Sequence, residues 1–205
     1  GNKVYGIFFD NSFKTTFNFG ASNTLYSSFA AEDGNLVYYF FGAPTVSQIL
    51  NDYTWLTGRC WLPPLWSLGY QQSKWSYYPE SEVLRVAETF RDKKLPCDVI
   101  YLDIHYMDAY KVFTFSPERF PNPKRFTSEL DKMGFKLAVI IDPGIKIEKG
   151  YKQYDEGVAR NLFIKYPDGT FFNGSVWPGP THFPDFTNPE TRQWWGESFK
   201  FYTDN

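Results

Sequence analysis

The apolar positions change rhythm twice along this chain, and each change predicts a different kind of element. Over residues 1–44 the pattern is short apolar runs broken by turn residues. KVYGIFFDNSFKTTFNFG holds two runs around Asp10-Asn11-Ser12, and TLYSSFAAEDGNLVYYFFG holds two more around Glu32-Asp33-Gly34, so two local hairpins are expected. From residue 45 to 58 the spacing of Val46, Ile49, Leu50 and Tyr53 is helical and stops at Gly58. Pro63-Pro64 then breaks the chain and sets an expected domain boundary near residue 62.

Beyond it the rhythm is strand, helix, strand, helix. LWSLGYQQ (65–72) reads as a short strand, and SEVLRVAETFRDKK (81–94) as a helix with Val83, Ala87 and Phe90 on one face. DVIYLDI (98–104) carries the near-continuous apolar run of a strand covered on both sides. A helix through Phe126, Leu130 and Met133 ends at Gly134, and the strand KLAVIID (136–142) follows. FIKYPDGTFF reads as a hairpin turning at Pro167-Asp168-Gly169, HFPDF is strand-like, and NPETRQWWGESFKFY is a closing helix. About four βα units result, the signature of a parallel sheet in an α/β fold. They suit either an open sheet or half of an eight-stranded barrel, and a last helix followed directly by Thr203-Asp204-Asn205 favours the half barrel.

Composition narrows the function classes. The 205 residues, 42% of them hydrophobic, suffice for a core. The aromatic share is high at 21%, which suits stacking on sugar rings but equally a core of large side chains. A formal charge of -2 leaves no basic stripe for nucleic acid, and a neutral substrate fits better. Cys60 and Cys97 have neither zinc nor disulfide-framework spacing and are expected to be small buried residues. No apolar run is long enough for a membrane helix.

Ligand sites in such sheets lie at the C-terminal ends of the strands. The polar residues expected there are Gln71, Gln72 and Trp75, then Asp103, His105 and Asp108, then Asp142, and finally Asp185. Three readings compete. One is a glycosidase-type pocket of carboxylates. Another is a metal hydrolase, since Asp103 and His105 would share a strand face and His182 could be a third ligand. The last is a non-catalytic sugar-binding or interaction module using aromatics alone. Asp142 could merely fix the turn at Pro143-Gly144, Asp108 could cap the next segment, and Trp194-Trp195 fit a helix core.

The ordered series LPPLWSLGYQQSKWSYY, PCDVIYLDIHYMD, FTFSPERFPNP, LAVIIDPGI and VWPGPTHFPDFTNPETRQWW resembles glycoside hydrolase family 31, and within it the α-glucosidases, from about residue 60 onward. The resemblance implies a partial (β/α)8 TIM barrel over 63–205, preceded over 1–62 by antiparallel strands from the end of an N-terminal β-sandwich and a connecting helix. It implies a retaining glycoside hydrolase that releases α-glucose from non-reducing ends of oligosaccharides or other α-glucosides, without metal or cofactor. By motif position Asp103 resembles the aspartate that holds hydroxyls of the terminal sugar. Ile104 resembles its apolar neighbour, and Trp75, Ile141 and Trp177 match walls of the same subsite. The Asp-Ile-His-Tyr-Met form, unlike the Asp-Cys-Phe-Trp-Met form of the family's α-xylosidases, favours glucose. The family's nucleophile lies in a W-x-D-M-N-E type motif on the next strand, with the acid/base later. Neither occurs here, so no catalytic residue is assigned and completion of the barrel by a C-terminal part or a partner is expected. The alternative is a non-catalytic glycan-binding or scaffold module.

Overall fold

The computed structural model describes residues 4–204, and the chain divides into two compact units, Gly1–Leu62 and Pro63–Asn205. Among the described residues no helix is long and apolar enough to cross a membrane.

The first unit contains β1 (Val4–Phe9), β2 (Thr15–Asn18), β3 (Ser28–Ala31), β4 (Tyr38–Ala43) and α1 (Val46–Thr57). Its pairing overturns the two expected hairpins. β1 pairs antiparallel with β4, from Val4↔Ala43 to Phe9↔Tyr38, and β2 pairs with β3. The four strands therefore form one long ribbon, and the chain reverses only between β2 and β3. The two presumed turns lie side by side across it: Asn11 Nδ2 donates to Asp33 O at 3.0 Å and to Asn35 O at 3.2 Å, and Lys14 pairs with Glu32 at 2.6 Å. Asn11 Oδ1 also accepts from Phe13 N at 2.8 Å, so its turn chemistry bends the strand instead of closing it. Helix α1 starts where Thr45 Oγ1 accepts from Gln48 N. It lies against β1 and β4: a Cβ at Gly6 would come within 2.8 Å of Ile49. Tyr5 and Phe40, on the opposite face of that ribbon, stay exposed.

The second unit opens with a 3-10 turn at Leu65–Leu68 instead of the expected strand, because Ser67 Oγ and its N–H both bond Pro64 O. Only β5 (Gln71–Gln72) remains of that strand. Then come α2 (Glu80–Asp92), β6 (Val99–Leu102), α3 (Pro123–Lys132) and β7 (Lys136–Val139). β5, β6 and β7 form a parallel sheet in that order, with Gln71 opposite Val99 and Val99 opposite Lys136. Central β6 is covered as its apolar run predicts: Val99, Ile100 and Leu102 are fully buried. Arg91 ties the ends of both helices, donating to Met133 O at 2.7 Å and Cys97 O at 2.9 Å while lying over the Phe135 ring.

After β7 the chain departs from the simple repeat. β8 (Ile145–Lys146), α4 (Lys152–Ala159), β9 (Gly174–Val176) and β10 (Gly179–His182) follow, and β8, β10 and β9 make an antiparallel sheet. The segment expected as a fourth parallel strand bonds Leu162–Ile164 instead: Ile164 N donates to Phe183 O and Asp185 N to Leu162 O. The expected hairpin turning at Pro167–Gly169 is formed, as a short one: Lys165 pairs with Phe171, Gly169 N donates to Tyr166 O, Tyr166 N to Thr170 O and Phe172 N to Ile164 O. α5 (Pro189–Ser198) and α6 (Lys200–Thr203) close the unit. The core joins Leu102, Tyr106, Phe120, Phe126, Leu130 and Trp194. Much of the aromatic content is thus core. Cys97 is buried, which pushes its thiol up, but Cys60 is exposed, contrary to expectation.

Candidate functional site

Strand β6 ends at Leu102, and Asp103 begins a 3-10 turn over Ile104–Tyr106. Its Oδ1 caps that turn by accepting from Ile104 N at 2.8 Å. The turn sends Ile104 and Tyr106 into the core and leaves Asp103 half-buried at the strand end, with Oδ2 unbonded among the described residues. A carboxylate is acceptor-only, so this oxygen is suited to a hydroxyl donor.

The segment after β5 carries Trp75, which is 76% exposed and so contributes little to packing. Its neighbours are held firmly. Ser76 Oγ lies 2.8 Å from His105 Nδ1, and the Tyr78 ring stacks on His105 at 4.8 Å and 10°. Arg119 sits 4.7 Å over the same Tyr78 ring and donates to His105 O at 3.0 Å. Partial burial and the nearby Arg119 cation hold the His105 imidazole below its ordinary pKa, against the opposing pull of Asp103.

Asp103 and Trp75 meet along one cavity of about 390 Å³, lined also by Ser73, Lys74, Tyr101, Leu102 and Ile140. The other three candidates do not line it. Ile104 is buried, Ile141 packs against the core, and Trp177 sits exposed between β9 and β10. Of the carboxylates expected at the rim, Asp103 alone borders this cavity. Asp185 Oδ1 is engaged by Thr187 N and Oγ1, and Asp108 pairs with Lys111 at 2.9 Å.

The metal arrangement is not formed. Because the strand stops at Leu102, Asp103 and His105 lie on a turn and share no strand face, while His182 bonds Phe172 O among Tyr154, Phe163 and Phe171. Among the described residues no group of three His, Cys, Asp or Glu could hold a metal ion. The residues that sequence reasoning missed are Ser76, Tyr78 and Arg119, which fix the Trp75 segment. Nothing in their spacing announces a meeting across 29 residues, as between Ser76 and His105.

A carboxylate and an exposed indole at the carboxyl ends of adjacent parallel strands define a partial α/β barrel with a polar and aromatic cleft on its ligand-binding rim. The match to known proteins is specific. Residues 61–205 fit the model described as the glycosyl hydrolases family 31 TIM-barrel domain. Alpha-glucosidase 2 of Bacillus thermoamyloliquefaciens is 51% identical over 201 residues, which is 98% of this chain and 25% of that protein. Human neutral alpha-glucosidase AB is 42% identical over 83% of this chain and 18% of its own. The structure of a Flavobacterium johnsoniae family 31 dextranase complexed with glucose aligns at TM-score 0.89 and 37% identity, covering 98% of this chain and 25% of that one. The chain belongs to glycoside hydrolase family 31, and it spans about a quarter of the length of the bacterial relative.

Proposed function

We propose that this chain forms part of a retaining α-glucosidase that releases α-glucose from the non-reducing ends of oligosaccharides or other α-glucosides. The observation that carries the reading is Asp103: a half-buried carboxylate at a strand end, with one oxygen unbonded among the described residues, beside an exposed indole. Hydroxyls of the terminal glucose donate to it, and charge assistance makes such bonds shorter and stronger than neutral ones. Trp75 offers an apolar face to the ring. Ile104, Ile141 and Trp177 do not line this cavity, and their place as further walls of the same subsite rests on motif position alone. Residues 1–62 supply the end of an N-terminal β-sandwich and its connecting helix, and 63–205 the first half of the barrel. The nucleophile and the acid/base are carried beyond residue 205, so Asp103 binds and does not react.

The test is hydrolysis of an α-glucoside by the natural gene product, with the anomer of the released sugar followed by NMR. Initial release of α-glucose supports the reading, and β-glucose would overturn the retaining mechanism. Sugar binding with no turnover would favour a non-catalytic glycan-binding module.

A further inference from the structure

The residue just past β7, Ile140, lines the Asp103 cavity, and its carbonyl is held by a side chain where a ladder bond would be expected. Ile140 N donates to Leu102 O at 3.1 Å, so the β6–β7 ladder runs up to this residue. In a parallel ladder the next rung would join Ile104 N–H to Ile140 O. Ile104 N is taken instead by Asp103 Oδ1, and the freed Ile140 O accepts from the Tyr106 hydroxyl at 2.9 Å. That hydroxyl also lies 2.8 Å from Tyr202 OH, which accepts from Phe113 N at 2.9 Å. A phenol has one proton to donate, and that of Tyr106 goes to Ile140 O, so Tyr202 is the donor between the two rings. The direction is thereby fixed from end to end: Phe113 N–H to Tyr202, Tyr202 to Tyr106, Tyr106 to Ile140 O. Burial pushes both phenols above their ordinary pKa, which keeps them protonated as donors. Bonds linked in this way polarise and strengthen one another.

One end of this chain of bonds is a segment in costly backbone conformations. Ala109, Tyr110 and Phe113 have positive φ angles of 47°, 61° and 58°. Residues other than glycine keep such angles only where their surroundings enforce them. Here Tyr202 binds Phe113 N and packs its ring 5.5 Å from that of Phe113, while Tyr151 OH donates to Val112 O at 2.8 Å. The other end is a cavity wall. We infer that Tyr202 and Tyr106 are positioning residues, whose two hydroxyls tie the 109–113 segment and α6 to Ile140 O and so hold Ile140 where it walls the Asp103 cavity. The inference rests on the reading of Asp103 as the group that binds the terminal sugar unit. Neither phenol lines that cavity, so both act through Ile140.

The experiment measures kcat, KM and Tm of the full gene product with an α-glucoside, in Tyr106→Phe, Tyr202→Phe and the double variant. Each single change keeps the ring and removes one hydroxyl. A wall that meets the sugar equally in the ground and transition states affects KM and leaves kcat alone. KM is therefore expected to rise about three- to tenfold in Tyr106→Phe, within the worth of one net hydrogen bond, with kcat held to within about twofold. Tyr202→Phe should move KM in the same direction, and the double variant should add little to Tyr106→Phe, because the two hydroxyls act as one unit. Unchanged KM in both single variants at a temperature where each is folded, with or without a lowered Tm, would overturn the inference while leaving the Asp103 reading intact. Loss of fold in one variant leaves the other to decide, and loss of fold in both would show a structural role and overturn it as well. No turnover of any α-glucoside by the unaltered protein would overturn both readings.

Discussion

Tyr5 and Phe40 stack at 5.8 Å with 63% and 64% of their surfaces exposed, whereas Phe120 and Phe126 pack at 5.4 Å with 1% and 0% exposed. The two units use the same residue types at similar ring separations, yet no described residue of the first unit is buried, and the second holds a continuous core. Ring contact alone removes little surface from water, and hydrophobic stabilisation follows the area removed. The difference locates the stability of this chain in the β5–β6–β7 sheet with α2 and α3, the same elements that carry Asp103 and Trp75 to their rim.

That contrast is open to direct attack. Phe126→Ala should cost about 3–5 kcal/mol in urea unfolding, the usual price for truncating a buried Phe, while Phe40→Ala should stay within about 0.5 kcal/mol as for other surface positions. Equal costs would break the comparison. A finer probe lies inside the second unit. A Cβ at Gly157 would fall 2.1 Å from Phe163 Cζ, whereas one at Gly196 meets nothing within 4 Å. Gly157→Ala is therefore expected to destabilise by about 1–3 kcal/mol through overpacking. Gly196→Ala, inside α5, should stabilise by about 0.5–1 kcal/mol, because alanine loses less backbone freedom. Two effects of the same sign would contradict the packing described around α4.

The smallest effect is a pH dependence. The pKa of His105 is lowered in the folded state, chiefly by burial, so the unfolded chain binds more protons as acid is added. Stability of the second unit is expected to fall as pH drops through about 6.5, the ordinary histidine value, and to level off below the folded value. Replacing His105 by Asn should flatten that slope. The ring is only partly withdrawn from water, so the slope itself is shallow.

Sequence reasoning reached furthest where the determinants are local. Helix α3 is legible because Phe126 and Leu130 mark its buried face and Gly134 its end, and all of these act within a few residues. β6 is legible for the same reason. Strand partners are another matter. Asp10-Asn11-Ser12 looks like a hairpin turn, but β1 finds its partner in β4, about thirty to forty residues away, and six paired positions outweigh one turn preference. The misread strand at 65–68 follows from Ser67 bonding back to Pro64, which an apolar pattern does not encode. For the site, Asp103 is visible as a polar residue closing an apolar run, and Trp75 as an aromatic just after a strand. Their shared cavity, and the His105, Tyr78 and Arg119 stack beside it, depend on side chains from distant segments. His105 is a candidate metal ligand on period-two spacing, but the strand ends at Leu102, three residues before it.

The central claim is that the charge of Asp103 serves the substrate, beyond the turn cap that its Oδ1 makes. The most direct measurement is kcat/KM for an α-glucoside in Asp103→Asn, taken alongside its thermal unfolding in the full gene product. Asn keeps the size and the cap to Ile104 N while removing the charge. The account predicts a loss of about tenfold to a hundredfold, the worth of one charge-assisted hydrogen bond, with Tm unchanged. Full activity in this variant, or a lowered Tm that accounts for the loss, would contradict it.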